Sequence, residues 1–221
     1  RGKISHLLLF SDLQKTTPGP LYNPLITNQH SKAFLAGFTS ELKTSDSTLW
    51  TSRMSYASLN SDFLDSSTSQ SRSDKLWSSQ ILAWEISPGI LSQTLFDIGH
   101  NNYSATFVQE QRYERTEPEL AQTLIVPILS NLFVEPSVRH LFRYQKTLWQ
   151  FNIPWVYNSY RAWFLYSEGF RPPSLTDLYA QTIYFQGNTH LQPESSRQYE
   201  VGNSWSPQTG WTLSASAFQL E

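Results

Sequence analysis

The sequence predicts an all-β fold: an antiparallel transmembrane β-barrel segment of about 11 strands. Three observations support this. Charged residues make up 15% of the 221 residues, against about 25% in ordinary soluble domains, while aromatics reach 14% with 8 Trp. No run approaches the ~20 apolar residues that a membrane helix needs. The connections between strand-like runs alternate between short and long, as they do in outer-membrane barrels. Composition alone fits a secreted, β-rich soluble protein equally well. A β-sandwich, however, would show shorter and less regular connections.

The strand-like runs follow in order. Lys3 to Leu13 is the first, followed by a Pro- and Asn-rich loop from Gln14 to Ser31. Lys32 to Lys43 alternates Phe34, Ala36, Phe38 and Leu42 against Gly37, Thr39 and Glu41. After a turn at 44–47, Thr48 to Asn60 sets Trp50, Met54 and Tyr56 opposite Arg53 and Ser55. A serine-rich loop spans Ser61 to Lys75; Leu76 to Ile86 then runs into the tight turn Ser87-Pro88-Gly89. Ile90 to Tyr103 precedes a connection from Ser104 to Glu119 that carries a charged stretch. Leu120 to Leu129 and Leu132 to Tyr144 are joined at Ser130-Asn131, and Leu148 to Tyr157 and Arg161 to Phe170 at 158–160. Gln198 to Trp205 and Trp211 to Leu220, joined at 206–210, complete the series.

Short turns therefore fall at 44–47, 87–89, 130–131, 158–160 and 206–210, and long connections at 14–31, 61–75, 104–119 and 171–195, with 145–147 the exception. The C-terminal hairpin shows its faces most plainly. Trp211, Leu213, Ala215 and Ala217 oppose Thr212, Ser214 and Ser216; Tyr199, Val201 and Trp205 oppose Gln198, Glu200, Gly202 and Ser204. In a barrel the apolar face meets lipid and the polar face the lumen, with Trp205 and Trp211 in an aromatic girdle. A sandwich core fits one such hairpin as well. Ile81-Leu82-Ala83-Trp84 shows no clear face, and no run has a convincing helical period.

Two phrases are more specific. Tyr166-Ser167-Glu168-Gly169-Phe170-Arg171-Pro172-Pro173-Ser174-Leu175-Thr176-Asp177-Leu178-Tyr179 is an aromatic strand halted by two prolines. Gly187-Asn188-Thr189-His190-Leu191-Gln192-Pro193-Glu194 then leads into a strand through Tyr199-Glu200-Val201-Gly202. In spacing and order, over about 37 residues, these phrases resemble TonB-dependent outer-membrane receptors of the vitamin B12 and siderophore branch. There a strand ends in "seGFRaPs…dLY" and "GNp.LkPE.s..yEvG" opens the next. Pro172 stands where Ala is usual, and Thr189 and Gln192 occupy variable places. Upstream only the style of alternating strands matches.

The resemblance implies a larger, about 22-stranded barrel, preceded by a plug domain and a TonB-binding segment. Residues 1–221 are then expected to be part of the barrel domain, with plug and TonB-binding segment absent. An odd strand count points the same way, since single-chain bacterial barrels have even numbers. The implied function is import of a scarce ligand, a metal chelate such as cobalamin or a ferric siderophore, across the outer membrane of a Gram-negative bacterium. The implied partners are outer-membrane lipid, the ligand itself and, through the missing plug, the TonB energy-transducing complex. The alternatives are a barrel acting as an adhesin or surface binding protein without transport, and a secreted β-rich hydrolase.

Enzyme chemistry finds little support. No Gly-x-Ser-x-Gly occurs, the five His are scattered without a zinc motif, and Cys is absent. No catalytic residue, metal site or cofactor is expected. Asp62 and Asp65 read as solvated loop, as does the mixed run of Glu110, Arg112, Glu114, Arg115, Glu117 and Glu119. A net charge of −2 speaks against nucleic acid. The binding candidates are Tyr22, Asn23, Arg171, Tyr179, Tyr184 and Phe185 in the long loops, where aromatic and polar groups suit a bulky polar ligand. Arg171 is at least as well explained as a structural partner of a carboxylate such as Glu168 or Asp177. The resemblance marks Gly169, Phe170, Arg171, Pro173, Leu178, Tyr179, Gly187, Asn188, Leu191, Pro193, Glu194, Tyr199, Glu200 and Gly202 as motif residues with a structural role.

Overall fold

The computed structural model describes residues 2–18, 26–64, 68–106, 110–180, 186–208 and 210–221. They form one antiparallel sheet of 11 strands, each paired with its sequence neighbours. The strands are β1 (Gly2–Pro18), β2 (Ile26–Ser45), β3 (Thr48–Leu64), β4 (Thr68–Ser87), β5 (Ile90–Thr106) and β6 (Glu110–Leu129). They continue as β7 (Leu132–Leu141), β8 (Lys146–Tyr157), β9 (Tyr160–Arg171), β10 (Glu194–Gln208) and β11 (Trp211–Leu220). One short helix, α1 (Leu175–Tyr179), lies in the connection from β9 to β10.

The register sets the two faces. Phe34 opposes Ser58, Phe38 opposes Met54 and Leu42 opposes Trp50; farther along, Leu82 pairs Thr94 and Gln80 pairs Phe96. These positions form the outer face, where Ile4, Leu8, Phe38, Met54, Leu82 and Phe96 all stay exposed. The Ile81–Trp84 ambiguity resolves: Leu82 and Trp84 share this face with Thr94 and Ser92, while Ile81 and Ala83 pair Leu95 and Gln93 on the other. At the short-turn end the outer face carries Trp155, Tyr157, Tyr160 and Trp205; Tyr160 and Trp205 stack at 5.7 Å. Toward the long-loop end it turns polar, with Asp12 opposite Lys32 and Asn60 opposite Arg72. The apolar stretch between these limits covers about 9–11 residues per strand, the length a tilted strand needs to cross hydrocarbon.

Among the polar side chains on the outer face near mid-height, the amides of Gln80 and Gln122 are each satisfied by their neighbours. Gln80 accepts from Trp50 Nε1 at 3.0 Å and from the Ser52 hydroxyl. Gln122 accepts from Thr94 and donates to Ser92 at 2.7 Å. An amide left unpaired in lipid would cost several kcal/mol.

Strand lengths correct the sequence reading. The segments 14–31, 61–75 and 104–119 are expected as loops, yet described strand runs to Pro18, resumes at Ile26, and continues through Leu64, from Thr68, to Thr106 and from Glu110. Above the apolar band neither face meets lipid, so alternation disappears while the backbone ladder continues. β1 to β6 reach 17 to 20 residues, whereas β7, β8 and β9 have only 10, 12 and 12. Gly202 marks a close approach: a Cβ there would overlap the Trp163 ring of the neighbouring strand, whose Nε1 donates to Glu200 Oε1 at 3.2 Å.

Placing arginine at Leu82, in the middle of the outer apolar band, should destabilise the assembled barrel by about 2–4 kcal/mol. Ser55→Arg on the inner face should cost less than half as much. Urea titration of the protein in bilayers checks the difference; equal costs would contradict the face assignment.

Candidate ligand-facing vestibule

The β9–β10 connection is built from the chain outward. Pro172 and Pro173 supply no amides, so the ladder stops after Arg171. Ser174 then caps α1. Its Oγ accepts from Asp177 N at 3.0 Å, and its own N donates to Asp177 Oδ2 at 3.0 Å. The Ser174 side chain and backbone thereby hold the Asp177 carboxyl below its ordinary range. The loop closes on itself through Gly187 N donating to Ala180 O at 2.6 Å and Asn188 N to Asp177 O at 2.9 Å. A Cβ on Gly187 would lie 2.6 Å from the Leu178 carbonyl carbon, so only glycine fits there.

The helix docks on the inner face of β5 and β6. Leu175 and Ala180 are buried with Tyr103, and Ala105, Tyr113 and Tyr179 pack around them. Tyr179 stacks on Tyr113 with ring centroids 3.7 Å apart and planes at 7°. Arg115 Nη1 donates to Pro173 O at 2.5 Å. Its Nε lies 3.3 Å from Glu117 Oε1, at ion-pair distance though not aligned as a hydrogen bond. Glu117 also accepts from Tyr144 Oη at 2.6 Å and Asn101 Nδ2 at 3.0 Å. Tyr144 sits in the short connection between β7 and β8, where burial, then the Glu117 carboxylate, pushes its pKa up to about 12. It thus remains a donor at any physiological pH. Its ring meets Phe170 at 5.1 Å.

This corrects two expectations. Residues 110–119 are not a solvated loop: Arg115 and Glu117 are largely buried and anchor the β9–β10 connection, while the exposed Arg112–Glu114 pair does face solvent. A helix is present too, signalled by Ser174 with Asp177 three residues on.

The candidate residues fall in different settings. Tyr22, Asn23, Tyr184 and Phe185 lie outside the described residues. Tyr179 is partly buried in its stack with Tyr113. Arg171 pairs with Glu194 at 3.8 Å rather than with Glu168 or Asp177, and both side chains are more than three-quarters exposed. Of the motif residues, Leu178 and Gly187 hold the loop's own fold, Pro173 receives Arg115, and Asn188 Oδ1 accepts from His190 N at 2.9 Å. Arg171 and Glu194 open the β9–β10 ladder, and Gly169 pairs with Ser196. Tyr199 packs on Tyr166 at 5.2 Å, while Leu191 remains exposed.

Sequence reasoning missed an inner-wall cluster. Asp97 faces Glu119 across β5 and β6, and the two are 7% and 6% exposed. Arg139 Nη2 and Nε donate to Glu119 Oε2 at 2.6 and 3.1 Å, while Asp97 Oδ1 has no partner. Alternation places these residues inward, but only the register brings them together. Among the described residues, no three His, Asp or Glu side chains converge as a metal site. A cavity of about 840 Å³ lies between α1 and the inner wall of β1 to β5.

Two predictions follow from this geometry. Arg115→Ala should cost about 3–5 kcal/mol of loop or barrel stability, because it leaves a buried Glu117 uncompensated. Arg171→Ala, at an exposed pair, should cost under about 1 kcal/mol; hydrogen exchange of residues 173–180 measures both. The cap is pH-sensitive in a defined direction. The folded Asp177 pKa lies below its unfolded value of about 3.9, so the stabilisation is complete above that pH and is lost as pH falls through the lowered folded value. Exchange protection of α1 should therefore hold from pH 7 to about 5 and fall below about 4, whereas Asp177→Asn should flatten the profile.

The comparisons with known proteins agree with this architecture. No curated sequence matches the chain. Among solved structures, the siderophore receptor PirA from Pseudomonas aeruginosa superposes with a TM-score of 0.60 at 12% identity, over 100% of this chain and 56% of that one. The hemophore receptor HasR of Serratia marcescens, a double mutant in complex with HasA and heme, gives 0.71 at 14% over 98% and 43%. The ferric citrate transporter FecA gives 0.63 at 12% over 99% and 40%. At such identities the likeness shows the fold alone, and the chain spans about half or less of the length of these neighbours. A family model described as TonB dependent receptor-like, beta-barrel matches residues 7–221. That match covers nearly the whole chain, which therefore belongs to the family of TonB-dependent receptor-like β-barrels.

Proposed function

We propose that this chain is part of the barrel wall of an outer-membrane receptor of a Gram-negative bacterium. The parent receptor captures a scarce ligand at its extracellular loops and imports it with TonB-derived energy. The observation that carries the proposal is the described first part of the β9–β10 connection, residues 172–180, which folds inward over the sheet against Arg115 and Tyr113 instead of standing out in solvent. A loop held over the lumen suits capture and hand-over of a ligand. β1 and β11 each have a neighbour on one side only, which fits a wall completed by further strands, since an open edge is a liability. The family consists of receptors and transporters rather than enzymes, and the barrel supplies no chemistry of its own here. A metal chelate is the favoured cargo, whether a ferric siderophore or cobalamin; the siderophore receptor, the heme-bound hemophore receptor and the ferric citrate transporter among the structural neighbours support that class.

Cells carrying the parent gene should accumulate labelled chelate from the medium, and dissipating the proton gradient or deleting TonB should abolish accumulation while leaving surface binding intact. Binding without energy-dependent accumulation, across ferric siderophores, cobalamin and heme, would instead favour a surface binding protein.

A further inference from the structure

The cavity under α1 has an uneven lining. Leu9, Leu35 and Leu59, with Ala33 and Ala57 between them, form its wall on β1 to β3. Phe10 and Phe34 also border it, from positions whose side chains belong to the outer face. The inward-facing side chains of this wall are therefore aliphatic, and among the described residues none of them offers a flat ring for stacking. Its other end is polar and cationic, with Lys75 and Arg115 beside Asn101, Ser174 and Thr176. Among the described residues, no carboxylate lines the cavity. The Arg115 charge is taken up by Glu117 and by the Pro173 carbonyl. Lys75, opposite Ala57 in the ladder, has no ion-pair partner among the described residues.

We infer that this cavity binds an amphiphilic anion: a ligand with an aliphatic segment laid along the Leu9–Leu35–Leu59 wall and an acidic group at the Lys75 ammonium. The inference rests on the receptor reading and narrows its ligand class. An aliphatic wall gains by removing chain methylenes from water, about 0.8 kcal/mol for each. It gives no quadrupole contact of the kind that favours aromatic ligands. The cation at one end orients the ligand and rejects amines. At about 840 Å³ the cavity has the volume of a small-molecule site.

The test uses the full-length parent receptor in nanodiscs, with empty nanodiscs subtracted, and three fluorescent probes: 6-(NBD-amino)hexanoic acid, NBD-glycine and the NBD derivative of 1,6-diaminohexane. The hexanoic acid should bind at least ten-fold more tightly than either of the others. Ala57→Trp, which fills the wall, should weaken it at least ten-fold. Lys75→Glu, at an exposed side chain with no ion-pair partner among the described residues, should do the same and reverse the preference toward the amine. Equal affinity of the chainless acid, or unchanged binding in Lys75→Glu, overturns the proposal. Energy-dependent uptake of a chelate by the same receptor in cells separates the two failures: if uptake persists while the probes fail, the receptor reading stands and the amphiphile site does not.

Discussion

The structure depends on one constraint: inside hydrocarbon, no backbone N–H or C=O can be left without a partner. Each such group costs several kcal/mol, and water is not there to supply a bond. The strand order from β1 to β11, without a crossover, is the simplest way to meet that requirement, because each hairpin satisfies its own ladder before the next begins. The register follows, since a slip by one residue would send every outward Phe and Leu inward. Even the polar exceptions obey it: Gln80 and Gln122 sit on the outer face only because serine, threonine and tryptophan partners on the same or adjacent strands satisfy them.

Above the hydrocarbon the constraint relaxes, and the architecture changes there. β1 to β6 extend as a tall wall, while β7 to β9 stop early. The low section leaves the inner face of β5 and β6 accessible from β9, and the β9–β10 connection leans across it to reach Tyr103 and Tyr113. Glu117 makes that crossing specific. It gathers Tyr144, Asn101 and Arg115 from three other positions on the wall and its rim, and Arg115 passes the link on to Pro173. A buried carboxylate satisfied from so many directions fixes geometry more than it adds net stability.

The sequence shows the membrane-crossing parts and hides the rest, for the same physical reason. Where one face meets lipid and the other the lumen, alternation is strong. Trp50, Met54 and Tyr56 lie on one face with Arg53 and Ser55 on the other, as do the corresponding positions of Tyr199 to Ala217. Where neither face meets lipid, as at 70–75 or 112–117, a strand carries the same serines and charges as a loop, and its composition misleads. α1 has five residues, too few for a helical period, so only its capping pair announces it. Arg171 is legible as an ion-pair member, but its partner Glu194 depends on the β9–β10 pairing, which sequence distance conceals. Asp97, Glu119 and Arg139 come together across three strands, and nothing local marks them.

This division also explains how 10–14% identity to the neighbouring receptors can coexist with a shared fold. Any apolar residue outward and almost any small or polar residue inward satisfies a membrane ladder, so an enormous number of sequences encode the same wall. Sequence is constrained residue by residue only where the ladder is interrupted and the chain must adopt one particular path. Residues 168–202 are such a place. Two prolines end the strand, a Ser–Asp pair starts a helix, Gly187 allows backbone to touch backbone, and Gly202 makes room for a tryptophan. A family phrase is therefore legible in that stretch, although it describes the scaffold of the loop. The groups that would choose a ligand lie instead on the wall beneath it, at positions such as Lys75 and Ala57, where the alternating pattern leaves the side chain free to vary.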